Sequence, residues 1–204
     1  MASELRQGNL FDFATEVQTL VNTVNTRGVM GKGLALEFRQ RYPAMYEDYR
    51  RRCRDGTVRV GEPYLYTAQH PWVLNFPTKD DWRRPSRLKW IEAGLQYFVE
   101  HYAGWGITSI AFPQLGAQLG GLRWEDVKPL MQRYLEPLPI RVLIVEYTAH
   151  SSAPSSMPAD LATPPARQLP LLGDEVQMPA HRKPRGRRSP RSRPLVLRRP
   201  RRRI

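Results

Sequence analysis

The sequence predicts an α/β layered domain whose central sheet is largely parallel and covered on both faces. Two observations predict it. Apolar runs that read as strands alternate with helical patterns through most of the first 150 residues, and parallel strands need such crossovers. Two glycine-rich loops, Arg27-Gly28-Val29-Met30-Gly31-Lys32-Gly33 and Gln114-Leu115-Gly116-Ala117-Gln118-Leu119-Gly120-Gly121-Leu122, each follow an apolar run and lead into an amphipathic helix. In sheets of this kind ligands bind beyond the carboxyl ends of the strands.

Each element has its own signal. Residues 4–7 form a short first strand that stops at Gly8-Asn9-Leu10-Phe11, and residues 18–22 a second strand. Residues 33–41 are helical, with Leu34, Leu36 and Phe38 apolar. Pro43 breaks that helix and suits the first turn of the next, over 43–54, which Asp55-Gly56 ends. Residues 63–67 and 72–76 read as strands joined by Ala68-Gln69-His70-Pro71. Ser86 is placed to cap a long helix whose Leu88, Ile91, Leu95, Phe98 and Val99 recur at helical spacing, with Gly104 and Gly106 closing it. Residues 107–112 are a strand, 124–135 a helix stopped by Pro137 and Pro139, and 141–146 the last strand.

Charge and aromatic content divide the chain. Residues 1–150 hold all 5 Trp, 9 Tyr and 6 Phe, with 19 Lys+Arg against 16 Asp+Glu, a net +3. Residues 151–204 hold no aromatic residue, 10 of the 19 Pro, and 13 Lys+Arg against 3 Asp+Glu, a net +10. Most of the overall +13 therefore belongs to the tail, and it does not mark the body as a nucleic-acid binder. The body is one domain, large enough for a single core. The tail has too little apolar surface to offset its chain entropy and is expected to be disordered. Its Arg, Pro and Ala bias suits a basic linker or the product of a shifted reading frame. The lone Cys53 excludes an intramolecular disulfide and a cysteine-based zinc site, and His70, His101, His150 and His181 lack metal-ligand spacing. No apolar run approaches the ~20 residues that span a bilayer, and the N-terminus is no signal peptide. The expectation is a cytoplasmic protein without a metal.

The glycines let backbone N–H groups approach an anion, and a helix N-terminus adds a favourable dipole. Two such loops on neighbouring strands would clamp a diphosphate from both sides. The first loop is not a Walker A motif, and its Gly28, Gly31 and Gly33 lack the dinucleotide intervals. Asn22 and Asn25 either bond ribose hydroxyls or satisfy the loop backbone. Lys79 is a charge clamp, a nucleophile or base with a lowered pKa, or a surface lysine paired with Asp80 or Asp81. Trp82, Arg83, Arg84 and Arg87 either hold single-stranded DNA by stacking and phosphate contacts, or Trp82 is buried against the long helix.

Four motifs in order at strand ends resemble the macrodomain family of ADP-ribose-binding modules across residues 3–148. They are Gly8-Asn9-Leu10-Phe11, Val21-Asn22-Thr23-Val24-Asn25, the loop 28–33, and Phe112-Pro113 with the loop 114–122 and Arg123-Trp124. The resemblance implies a three-layer α/β/α sandwich with a mixed, largely parallel central sheet, and no cofactor. Gly31-Lys32-Gly33-Leu34-Ala35, Tyr42-Pro43 and Thr78-Lys79 resemble the subgroup that holds the human terminal ADP-ribose glycohydrolase and the bacterial antitoxins that remove ADP-ribose from thymidine bases of single-stranded DNA. That likeness implies a DNA ADP-ribosyl glycohydrolase reversing the modification made by a DarT-type toxin. It implies Lys79 as the catalytic residue. It implies ADP-ribose contacts from Gly8, Asn9, Leu10, Asn22, Asn25, Gly28, Val29, Met30, Gly31, Lys32, Gly33, Leu34, Thr78, Gln114, Leu115, Gly116, Ala117, Gln118, Leu119, Gly120 and Tyr147. Tyr147 either stacks on adenine or belongs to the core as a sheet-edge aromatic. Gly120 stands where the human enzyme has an aspartate, and Glu125 and Asp126 fall in the first turn of the next helix instead. The resemblance also implies a DarT-type toxin as partner, whereas the toxin-contacting second domain of such antitoxins is not expected within 151–204. A non-catalytic ADP-ribose reader, a hydrolase of protein-linked or O-acetyl ADP-ribose, and a nucleic-acid binder working through the basic tail are the competing readings.

Overall fold

The computed structural model describes residues 3–147; the tail read as disordered lies outside them. The elements in order are β1 (Glu4–Gln7), a 3₁₀ turn (Leu10–Phe13), β2 (Thr19–Asn25), α1 (Gly33–Arg41), α2 (Pro43–Arg54), β3 (Tyr64–Tyr66), β4 (Trp72–Lys79), α3 (Leu88–His101), β5 (Ser109–Pro113), a 3₁₀ turn (Gln118–Gly120), α4 (Trp124–Leu135) and β6 (Arg141–Glu146). The strands form one sheet in the order β1-β6-β5-β2-β4-β3. All neighbours run parallel except β3, which closes one edge antiparallel to β4.

Alternating side chains feed two cores, which makes the molecule three layers deep. Val21, Leu74, Phe76, Ile110, Phe112 and Ile144 pack under α3 and α4 with Ile91, Leu95, Phe98, Val127 and Met131. Leu20, Val24, Val73, Leu143 and Val145 pack under α1 and α2 with Phe38, Met45 and Tyr49. Helix and sheet approach closely at Gly94 of α3, where a Cβ would stand 2.3 Å from Cζ of the buried Phe76.

Several elements differ from their sequence signals. β2 and β4 continue to Asn25 and Lys79, three residues past the apolar runs, because they pair with each other throughout. Ser86 does not cap α3: Arg87 holds the cap position with no side-chain bond, and Leu88 is exposed. α1 buries only Phe38 fully, so its apolar face is narrower than the spacing of Leu34, Leu36 and Phe38 suggests.

The sheet topology places the site. Connections leaving β2 run toward β4 and those leaving β5 run toward β6, so the strand order reverses between β2 and β5. Pairing between these two strands covers only Thr19 with Ile110 and Leu20 with Ala111. Beyond that the strands part, and each is followed by one of the glycine loops. A crevice at the carboxyl end of a parallel sheet, at such a reversal, is where these folds bind ligands.

Candidate active site

Five parallel strands bring their carboxyl ends to one edge, so Gly8 after β1, Asn25 at the end of β2, Lys79 at the end of β4, Gln114 after β5 and Tyr147 after β6 share it. The first loop is held from inside. Asn25 Nδ2 donates to the Val29 carbonyl at 2.6 Å, and Asn25 Oδ1 accepts from the amides of Arg27 at 2.9 Å and Val29 at 3.4 Å. Met30 is buried beneath the loop. Asn22 lies inside the sheet and donates to Asn75 Oδ1 at 3.0 Å. Asn25 thus shapes the loop, and Asn22 joins β2 to β4 through its Nδ2 while its Oδ1 has no partner among the described residues.

The loop also leaves backbone donors unpaired. Among the described residues the amides of Gly31, Lys32, Gly33 and Leu34 donate to no protein acceptor, and no side chain caps α1. Gly33 has φ +54°, a left-handed conformation that costs a residue with a Cβ. In the second loop the amides of Gly116, Gln118 and Leu119 are likewise open, while those of Ala117, Gly120, Gly121 and Leu122 bond within the loop. Gly116 has φ +67° and is closed in by Leu122, Ile91 and Ser86. Each loop therefore leaves a set of N–H donors without a protein acceptor, one of them at an uncapped helix start. That arrangement suits two neighbouring anionic groups.

The loops touch each other and Lys79. A Cβ on Gly33 would meet Leu119 Cδ1 at 2.9 Å. Lys79 Nζ donates to the Leu119 carbonyl. Asp80 and Asp81, its expected partners, instead face Arg84 at 3.3 Å and Arg27 at 3.7 Å. Burial lowers the Lys79 pKa from its ordinary value. Thr78 beside it is buried. Ser86, expected as a cap, anchors the second loop: its amide donates to the Gly120 carbonyl at 2.8 Å, and its Oγ would stand 2.9 Å from a Cβ on Gly120. A side chain at position 120 would therefore require the Ser86 hydroxyl to turn aside. Glu125 and Asp126 lie in the first turn of α4, Asp126 paired with Arg123 at 2.9 Å. Nothing in the local sequence marks Ser86 for this task, since its partner is 34 residues away.

The remaining motif residues frame the cleft. Asn9 Oδ1 accepts from the Phe11 amide at 3.0 Å and Asn9 Nδ2 reaches Glu37 Oε2 at 3.4 Å, tying the turn after β1 to α1; Leu10 is buried beneath it. Gln114 Oε1 accepts from the Tyr147 amide and from Gln118 Nε2, both at 3.3 Å. Tyr147 is 50% exposed, so it is not a core aromatic. Trp82 is 48% exposed with the Arg83 guanidinium 4.6 Å from its ring, which removes the reading that buries it against α3. Among the described residues no three His, Cys, Asp or Glu stand together as metal ligands, and no helix is long and apolar enough to cross a membrane.

The Macro domain family model matches residues 21–131. The chain is 41% identical over 176 residues to a DNA ADP-ribosyl glycohydrolase of Thermus aquaticus, a match covering 82% of this chain and 48% of that protein. It is also 41% identical over 128 residues to a DNA ADP-ribosyl glycohydrolase of Mycobacterium tuberculosis, covering 61% of this chain and 36% of that one. The chain thus spans half or less of the length of these relatives. Among solved structures, the macrodomain of Thermus aquaticus DarG aligns with a TM-score of 0.65 at 42% identity, over 70% of this chain and 96% of that chain. Thermosipho africanus DarTG in complex with ADP-ribose aligns with a TM-score of 0.66 at 41% identity, over 70% of this chain and 41% of that chain.

Proposed function

The chain belongs to the macrodomain family, and we propose from that premise that it is an antitoxin-type hydrolase that removes ADP-ribose from thymidine bases of single-stranded DNA, the modification left by a DarT-type toxin. The observation that carries the reading is the meeting of both open-amide loops with Lys79 at the strand reversal. The relatives named as DNA ADP-ribosyl glycohydrolases support the substrate.

The loops take the diphosphate. The first supplies the amides of Gly31 to Leu34 and the second those of Gly116, Gln118 and Leu119. Binding energy from these remote groups fixes the distal ribose for reaction. The bond that breaks joins the anomeric carbon of that ribose to a thymine ring nitrogen, and its electron pair leaves with the base. An oxocarbenium-like centre forms, as in glycoside hydrolysis generally. Water oxygen bonds to the carbon, one water proton ends on the base, and ADP-ribose and thymidine are released. An imide nitrogen spreads the departing charge over two carbonyls, so a strong general acid matters less. This fits a second loop that has glycine, and so no carboxylate, at position 120. Lys79, held as an ammonium by the Leu119 carbonyl, steadies the departing base. The substrate places the protein in the cytoplasm with the chromosome, in a DNA-repair role.

The test compares release of ADP-ribose from a thymidine-ADP-ribosylated oligonucleotide, from a glutamate-linked ADP-ribosyl peptide and from O-acetyl-ADP-ribose. Turnover of the oligonucleotide above the other two is expected. Preference for either alternative overturns the DNA assignment, and ADP-ribose binding without turnover makes the chain a reader.

A further inference from the structure

Between the first glycine loop and α2 lies a groove of about 450 Å³ to which the proposed reaction assigns no role. Arg27, Arg50 and Arg54 line it with Gly28, Tyr46 and Cys53, and no carboxylate is among its lining residues. The guanidiniums of Arg39 and Arg50 stand 4.9 and 5.7 Å from the Tyr46 ring centre, so cation and ring are layered at its edge. The arginines are weakly committed. Arg27 stands 3.7 Å from Asp81 and Arg50 3.5 Å from Glu47, with 66% and 47% of their side chains exposed, and Arg54 makes no ion pair among the described residues. Exposed pairs of that kind stabilise little and yield readily to a phosphate.

The groove is joined to the reaction centre through backbone. The Thr26 amide donates to the Lys79 carbonyl at 3.1 Å, and Thr26 Oγ1 donates to the Asp80 carbonyl at 2.6 Å. Arg27 reaches Asp81, next to the exposed Trp82 with Arg83 over its ring. A band of cations and rings therefore runs from Trp82 past the end of β4 to Arg50 and Arg54 on α2. A polyanion carrying planar bases matches such a band through phosphate contacts and stacking. An acidic peptide would satisfy the charge and leave the rings without partners.

We propose that this groove holds the single-stranded DNA flanking the modified thymidine, with Arg27, Arg50 and Arg54 on its phosphates and Trp82 stacked on a neighbouring base. The inference rests on the reading that the substrate is modified DNA. It gives the chain a way to tell a modified strand from free ADP-ribose or a modified protein.

The experiment uses the full chain and a variant carrying Arg50→Glu and Arg54→Glu, both on the exposed last turns of α2. ADP-ribose affinity by calorimetry is expected to be unchanged, which reports an intact fold and cleft. Binding of a fluorescein-labelled, unmodified oligothymidylate is followed against salt. Loss of two phosphate contacts lowers the log–log salt slope by about 1.4 for a single strand. KM for the ADP-ribosylated oligonucleotide is expected to rise roughly tenfold, while turnover of the ADP-ribosylated thymidine nucleoside holds. An unchanged slope and KM overturn the proposal. So does displacement of the oligothymidylate by polyglutamate as effectively as by unlabelled DNA. If the wild-type chain hydrolyses neither thymidine substrate, the proposed reaction fails, and the salt slope still decides whether the groove binds DNA.

Discussion

Lys79 stands at the point where the two loops and the longest strand meet, and its surroundings determine its charge. Its Nζ faces a carbonyl oxygen rather than either neighbouring aspartate, and burial lowers its pKa from the ordinary lysine value. An ammonium that steadies a departing base is lost when the amine deprotonates. The turnover number is therefore expected to fall as pH rises through this lowered pKa. A pH profile on the ADP-ribosylated oligonucleotide checks it, and a rise over the same interval would make Lys79 a neutral nucleophile. Gly33 sets the first loop in a similar way. At φ +54° a Cβ adds about 1–2 kcal/mol of backbone strain, and Leu119 stands 2.9 Å from where that Cβ would lie. Gly33→Ala is expected to weaken ADP-ribose binding about tenfold, measured by calorimetry, without loss of the fold. Asn25 carries a lesson about reading residues. Its type and position were visible in the sequence, but its task was not, because an amide that orders a loop and one that bonds a ribose have the same local signal. Only its three bonds to residues 27 and 29 separate the two.

At the scale of elements, helix-to-sheet contact sets the tightest constraint. Gly94 of α3 lies against the Phe76 ring, which is fully enclosed and cannot swing away. Gly94→Ala places a methyl group inside that ring's volume, so overpacking is expected to outweigh the gain in helix propensity. The expected cost is about 1–3 kcal/mol of stability, read as a lowered urea midpoint. The alternation of strands and helices was legible from apolar period, and the limits of α1, α2 and α4 from Pro43, Asp55-Gly56 and Pro137. The strand ends were not. Thr78-Lys79 follows Pro77 and carries no apolar pattern, yet β4 runs on because β2 pairs with it to that point. Ser86 shows the reverse case. A serine ahead of an apolar helical run has the form of a cap, but the carbonyl of Gly120 takes its amide and the packing of Gly120 surrounds its side chain. Tertiary partners override local preference wherever a segment belongs to the site.

For the molecule as a whole, the strand order gathers the site. Residues 8, 25, 79, 114 and 147 are scattered along the chain, and a parallel sheet with one reversal brings the strand ends that carry them to one edge. The glycine loops were visible as motifs; the bridge between them, from Lys79 to Leu119 and from Gly33 to the same leucine, came only with the fold. The groove behind the first loop was invisible in sequence for the same reason, since Arg27 and Arg54 are separated by most of two helices. In the proposed function the loops bind ADP-ribose while Lys79 supplies the chemistry. The most direct measurement pairs ADP-ribose affinity with ADP-ribose release from a thymidine-modified single strand, for the wild-type chain and Lys79→Ala. For the variant, an affinity within about threefold of wild type and no detectable release are expected. A variant that loses affinity and release in parallel would make Lys79 a clamp on the ligand, and one that hydrolyses as well as wild type would remove Lys79 from the reaction.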